Sequence, residues 1–151
     1  MKKNIRNIFV DTNVLINALT GKFTNKSESK TCLDYLISIK NKNLYTSSLS
    51  VVTMFSVLQK SKKSRPAFSI PEIKEYYDKI CAKFIILNCT KADITACFNV
   101  SANDLEDNVQ YVLGRKFDCK YFITENKPDF ENMRDIIVLK PQQVFVIKTK
   151  N

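Results

Sequence analysis

The sequence predicts an α/β protein built on a mostly parallel sheet, and three observations carry that prediction. Short apolar runs recur at residues 8–10, 84–87, 121–124 and 136–139. Stretches with helical spacing of apolar residues separate them, and strands alternating with helices pair in parallel through right-handed crossovers. Acids or amides stand at the edges of these elements, as at Asp11 and Asn126. In open α/β sheets the carboxyl ends of the strands are where ligands are held.

Ile8, Phe9 and Val10 form an unbroken apolar run, which suits a strand covered on both faces. Asp11 interrupts it. Val14, Leu15, Ile16 and Leu19 then read as the buried side of a short helix, capped by Thr12 or Asn13. After a polar stretch, Ser27 caps a helix to about Lys40 with Cys32, Leu33, Leu36 and Ile37 on its inner stripe. Asn41-Lys42-Asn43 ends it, and a short strand follows at residues 44–46.

Leu49, Val52, Phe55, Val57 and Leu58 mark a mostly apolar helix from Leu49 to about Lys60. The segment from Lys60 to Pro66 is the densest cationic cluster of the chain. It reads first as a solvated connection, yet Lys60, Lys62, Lys63 and Arg65 are also the residues that would hold a phosphate backbone. Pro71, with Glu72 beside it, suits the first turn of a helix to about Lys83. Residues 84–87 form a strand and residues 91–98 a helix. An acid-led helix opens at Asn103-Asp104 and continues through Leu113, before strands at 121–124 and 136–139. No repeat, low-complexity tract or boundary interrupts the chain, so one domain is expected over residues 1–151.

Composition excludes several chemistries. With only Gly21 and Gly114, no glycine-rich phosphate loop exists, which rules out the Rossmann and P-loop fingerprints. Histidine is absent, removing His-based acid–base and nucleophile systems and every His-containing zinc site. Cys32, Cys81, Cys89, Cys97 and Cys119 contain no Cys-x-x-Cys pair and fit reduced cytoplasmic thiols. The basic start meets Asp11 too soon for a signal peptide, and no segment is long enough to span a bilayer. The formal charge of +9 favours a polyanionic partner, nucleic acid being the usual one.

Three stretches together resemble the PIN domain, a family that includes VapC-type ribonuclease toxins. "FVDTNVLI" is similar to its first motif, and "DLEDNVQYVLGRKFDCKYFITENKPDF" to its third and fourth. The resemblance covers nearly the whole chain and implies a three-layer α/β/α domain with a mostly parallel central sheet. It further implies Mg²⁺ or Mn²⁺ held by carboxylates at the sheet's carboxyl edge, with hydrolysis of single-stranded RNA. Asp11 matches the first acid and Asp107 the third, with Asp104 as an accessory ligand on the same helix face. Asn126 falls at the fourth acid, and Asp129 follows three residues later. Asn13 would orient Asp11 or a metal-bound water, and Thr124 would hydrogen-bond behind the ligands. Such toxins are held by small antitoxin proteins, typically in homodimeric or larger assemblies.

The chain departs from the pattern in two places. Thr53 stands where the second acid is usual, and between Asp34 and Glu72 there is no Asp or Glu at all. The fourth position is neutral as Asn126. Asp104, Glu106 and Asp129 are the available stand-ins. Fewer carboxylates attract a divalent cation more weakly, which leaves three expectations open. They are a nuclease with an altered ligand set, a non-cleaving RNA-binding or protein-interaction domain, and an acidic notch that docks a basic antitoxin segment.

Overall fold

The computed structural model describes residues 5–20, 26–60, 66–100, 104–130 and 133–148. Five strands, β1 (Arg6–Val10), β2 (Lys42–Ser47), β3 (Ile85–Leu87), β4 (Tyr121–Ile123) and β5 (Ile137–Leu139), form one sheet in the order β3-β2-β1-β4-β5. Every pairing is parallel, with Ile8 beside Leu44 on one side and Tyr121 on the other. Among the described residues, six α-helices connect the strands: α1 (Thr12–Thr20), α2 (Lys26–Ser38), α3 (Ser48–Leu58), α4 (Ile70–Lys83), α5 (Lys91–Ala96) and α6 (Leu105–Lys116). None of the described helices is long and apolar enough to cross a membrane.

The alternation of side chains along β1 divides the interior into two cores. Ile8 and Val10 join α1, α2 and α4 through Leu15, Leu36 and Ile80. Phe9 points the other way, into a core with Leu113 of α6, and its ring stacks on Phe122 with centroids 5.0 Å apart. Helices therefore cover both faces of the sheet, giving three layers. Gly114 lets α6 approach closely, since a Cβ there would lie 3.2 Å from Ile136 Cδ1.

Several expectations shift when the elements are seen. Burial on both faces holds for β1 and β4 but not for β3 and β5, whose Ile85 and Ile137 are each 48% exposed because these strands form the edges. The helix expected to be capped by Ser27 and to run to about Lys40 spans Lys26–Ser38, so Ser27 lies within it and not at its cap. The mostly apolar helix expected from Leu49 to about Lys60 is α3, Ser48–Leu58. Ser50, Val51, Met54 and Leu58 face inward and Val52 is exposed, because Ser47 caps the helix and draws Ser50 inside. The helix expected over 91–98 ends at Ala96 and passes into a 3₁₀ turn, Cys97–Asn99. α1 is preceded by Asp11, which takes the capping place assigned to Thr12 or Asn13: its carbonyl accepts the Leu15 N–H and its carboxylate the Thr12 N–H. All five cysteines are free, and Cys32, Cys97 and Cys119 are core filler.

Candidate functional site

The site forms where β1 and β4 end side by side. The Asp11 N–H donates to Ile123 O at 2.9 Å, so Asp11 keeps its register against β4 although the strand has stopped. Its carboxylate is almost fully buried. Oδ1 accepts the Thr12 N–H at 2.6 Å and Oδ2 accepts the Thr124 hydroxyl at 2.8 Å. Thr124 Oγ1 in turn accepts the Asn126 N–H at 3.0 Å. Gln110 of α6 also donates to Asp11, while its Oε1 accepts the Ser50 hydroxyl at 2.9 Å. Ser50 is held by Ser47, the cap of α3. A buried polar chain thus links the ends of β1, β2 and β4 to the start of α3 and the middle of α6, and it fixes one carboxylate.

Burial pushes the Asp11 carboxyl up to about 6, against the pull of hydrogen bonds from Thr124, Thr12 and Gln110, with the Glu106 charge adding to the rise. Asp107 is pushed further, to about 7, first by burial and then by the charges of Asp11, Asp104, Asp129 and Glu106. Asp107 is nine-tenths buried, and its carboxylate receives no hydrogen bond among the described residues. Asp11 and Asp129, remote from Asp107 in sequence, thus lie within electrostatic reach of it.

The remaining residues singled out from the sequence fall as follows. Asp104 is exposed and caps α6, its Oδ1 accepting the Asp107 N–H at 3.1 Å. Thr53 donates to Glu106 Oε1 at 3.0 Å. Asp129 is exposed on the 3₁₀ turn Lys127–Phe130, within electrostatic reach of Asp107. Asn126 is exposed, and it meets the site through its backbone N–H rather than its amide. Asn13 points to solvent and forms no hydrogen bond with Asp11 among the described residues; Gln110 does the orienting assigned to it. Lys60 is exposed beyond the end of α3, while Lys62, Lys63 and Arg65 lie outside the described residues. Gln110, Ser50 and Ser47 were not anticipated. Gln110 and Ser50 are polar helix positions flanked by apolar neighbours, as in Val109-Gln110-Tyr111, and Ser47 is a serine ahead of an apolar helix; the sequence carries no other signal for them.

Among the described residues, no three or more acids or thiols are gathered as a ready-made metal cage. The donor set nevertheless suits a hard divalent cation. Mg²⁺ needs only one or two carboxylates, completing its shell with waters and substrate phosphate oxygens. Asp11 and Asp107 supply two buried carboxylates whose mutual repulsion a cation would relieve.

A parallel three-layer α/β/α protein with carboxylates converging at the carboxyl edge of its central strands belongs to a recognisable class. The chain is a member of the PIN domain family, whose model matches residues 7–128. It is 28% identical over 137 residues to "Ribonuclease VapC1" of Aquifex aeolicus, covering 85% of this chain and 90% of that protein. The fold is similar to DNA-bound VapBC from Salmonella typhimurium, with a TM-score of 0.65, 12% identity and coverage of 91% and 99% of the two chains. A toxin–antitoxin complex from Klebsiella pneumoniae matches at 0.61 with 16% identity, covering 89% and 97%.

Proposed function

We propose that this chain, working as one domain over residues 1–151, is a Mg²⁺- or Mn²⁺-dependent ribonuclease of the VapC type that cleaves single-stranded RNA in the cytoplasm. The observation that carries this reading is Asp107, a largely buried residue whose carboxylate receives no hydrogen bond among the described residues and whose carboxyl is pushed up by burial and by the charges of Asp11 and three further acids. A divalent cation would relieve the repulsion among these acids.

Asp11 and Asp107 would hold the ion, with Asp104 and Asp129 adding negative potential at the rim. A bound divalent ion supplies a water of lowered pKa and neutralises the scissile phosphate. The protein's own part is positional. Thr12, Thr124 and Gln110 fix both oxygens of Asp11, so its orientation does not have to be found anew in each cycle. The excess of cationic residues, Lys60, Lys62, Lys63 and Arg65 among them, would attract the RNA backbone. The toxin–antitoxin complexes among its structural neighbours support a protein partner of that kind, with a homodimer as the working assembly.

The test is cleavage of a single-stranded RNA library by the purified chain with Mn²⁺, beside Asp11→Asn and beside a chelator control. Cleavage that needs the metal and is lost in the variant is expected; persistence of cleavage in Asp11→Asn would sink the reading. The lack of three gathered acids among the described residues favours a second reading, a domain that binds RNA without cutting it. That reading predicts salt-sensitive RNA binding, no cleavage and no thermal shift with Mn²⁺.

A further inference from the structure

Helix α3 carries no acid, yet it reaches toward the site through a hydroxyl. Ser47, Ser50 and Gln110 come from three separate elements and are all buried, with at most 1% of their surface exposed. The Ser47 hydroxyl donates to Ser50 Oγ at 3.0 Å and accepts the Ser50 N–H at 2.9 Å. Ser50 passes its own hydrogen on to Gln110 Oε1, 2.9 Å away. The nitrogen of the same amide donates to Asp11. A carboxylate can only accept, so the amide must meet it with nitrogen, which leaves Oε1 for Ser50. Every bond of the chain therefore runs one way, from the cap of α3 to Asp11.

The contact between α3 and α6 could have been apolar. Exchanging both partners of a buried hydrogen bond for apolar groups of similar shape can be nearly neutral for stability. Val109 and Leu113, near Gln110 on α6, are packed into an apolar core in just this way. We propose that Ser50 is a positioning residue of the candidate site: held by Ser47, it fixes which way the Gln110 amide faces, and the amide holds the Asp11 carboxylate in one orientation. Without the Ser50 hydroxyl, the amide is free to turn its oxygen toward Asp11 and repel it. This inference rests on the metal-dependent reading above and assigns α3 a part in it that needs no acid.

Calorimetric titration of the whole chain with Mn²⁺, without RNA, tests it beside thermal melts. Ser47 is left intact because it also caps α3. Ser50→Ala is expected to weaken Mn²⁺ binding about tenfold, and Ser50→Thr, which keeps the hydroxyl, to restore it. The double variant Ser50→Ala with Gln110→Met replaces both partners by apolar groups. It should bind Mn²⁺ about 10- to 100-fold more weakly while melting no lower than Ser50→Ala alone. Unchanged Mn²⁺ affinity in Ser50→Ala and in the double variant, beside its loss in Asp11→Asn, would overturn the assignment and leave the metal-dependent reading intact. Affinity that falls only in step with melting temperature would overturn it too, showing a chain that serves folding alone. Absence of Mn²⁺ binding in the parent chain would overturn both readings.

Discussion

Asp93 and Asp107 occupy equivalent places, the third residue after the cap in α5 and α6, and both are buried. Their circumstances are opposite. Asp93 accepts the backbone N–H and the hydroxyl of Thr90 at 2.8 and 2.7 Å, and the Lys116 ammonium reaches both its oxygens at 3.1 and 3.2 Å. Burial works against its charge, but these donors outweigh it and hold the carboxyl below its ordinary range. Asp107 has Asp104 as its cap, a residue that accepts the Asp107 N–H but has no hydroxyl to give back. A completed capping box stabilises one helix start, while an acidic cap leaves the other charged and uncompensated. The first is a structural carboxylate, and the second is the one proposed above to meet a cation.

The largest expected effect separates the two by function. Asp107→Asn should lower metal-dependent RNA cleavage by about 10³-fold, equivalent to about 4 kcal/mol of transition-state stabilisation. Asp93→Asn should leave the cleavage rate of the folded protein within about threefold of the parent, because it touches nothing at the notch. Single-turnover kinetics with saturating Mn²⁺ make the comparison.

Stability should respond in the reverse order. Asp93→Ala strips Thr90 and Lys116 of their buried acceptor, and a loss of about 2–3 kcal/mol is expected. For a chain of this size that corresponds to a fall of roughly 5–10 °C in melting temperature. Asp107→Asn should raise the melting temperature of the metal-free protein at pH 7.5, since it removes the like-charge repulsion at the notch.

The pH profile discriminates further. Asp11 and Asp107 titrate near 6 and 7 in the native chain, above the ordinary carboxylate range of the unfolded one. Between about pH 4 and 7 the native state therefore holds protons that the unfolded chain has released, and stability falls as pH rises. A decline on the order of 2 kcal/mol from pH 5 to 8 is expected in chelator, smaller in Asp107→Asn and suppressed by Mn²⁺. Asp93 acts at the other end: its contribution is present above the ordinary carboxylate range and is lost as pH falls through its lowered value. Urea melts at intervals of one pH unit measure both limbs.

How far the chain could be read from its residues follows from which interactions are local. β1 and β4 were legible because an unbroken apolar run has one natural home, between two covered faces. The exposure of Ile85 and Ile137 was not, since edge position depends on which strands pair and not on the strand itself. The inward face of α3 was not legible, because Ser50 is buried by a bond to Gln110, a partner sixty residues away. The acids at 11, 104 and 107 stood out through their motifs. Gln110 and the Thr53–Glu106 bond did not, because each acquires its place only when α3 and α6 meet above the sheet.

The smallest expected effect comes from converting one helix start into the other. Asp104→Thr would make the first turn of α6 read Thr-Leu-Glu-Asp, in the manner of Thr90-Lys91-Ala92-Asp93. The new hydroxyl can still accept the Asp107 N–H and can donate to its carboxylate, as Thr90 does to Asp93. One repelling charge also disappears. The Asp107 carboxyl should then titrate below about 7, observable by carboxyl-carbon NMR, and the metal-free protein should gain about 1 kcal/mol. Mn²⁺ affinity should drop less than about tenfold, because both buried carboxylates remain. A carboxyl at 107 that titrates as before would mean that the acidic cap is not what separates it from Asp93, leaving burial and Asp11 as the cause.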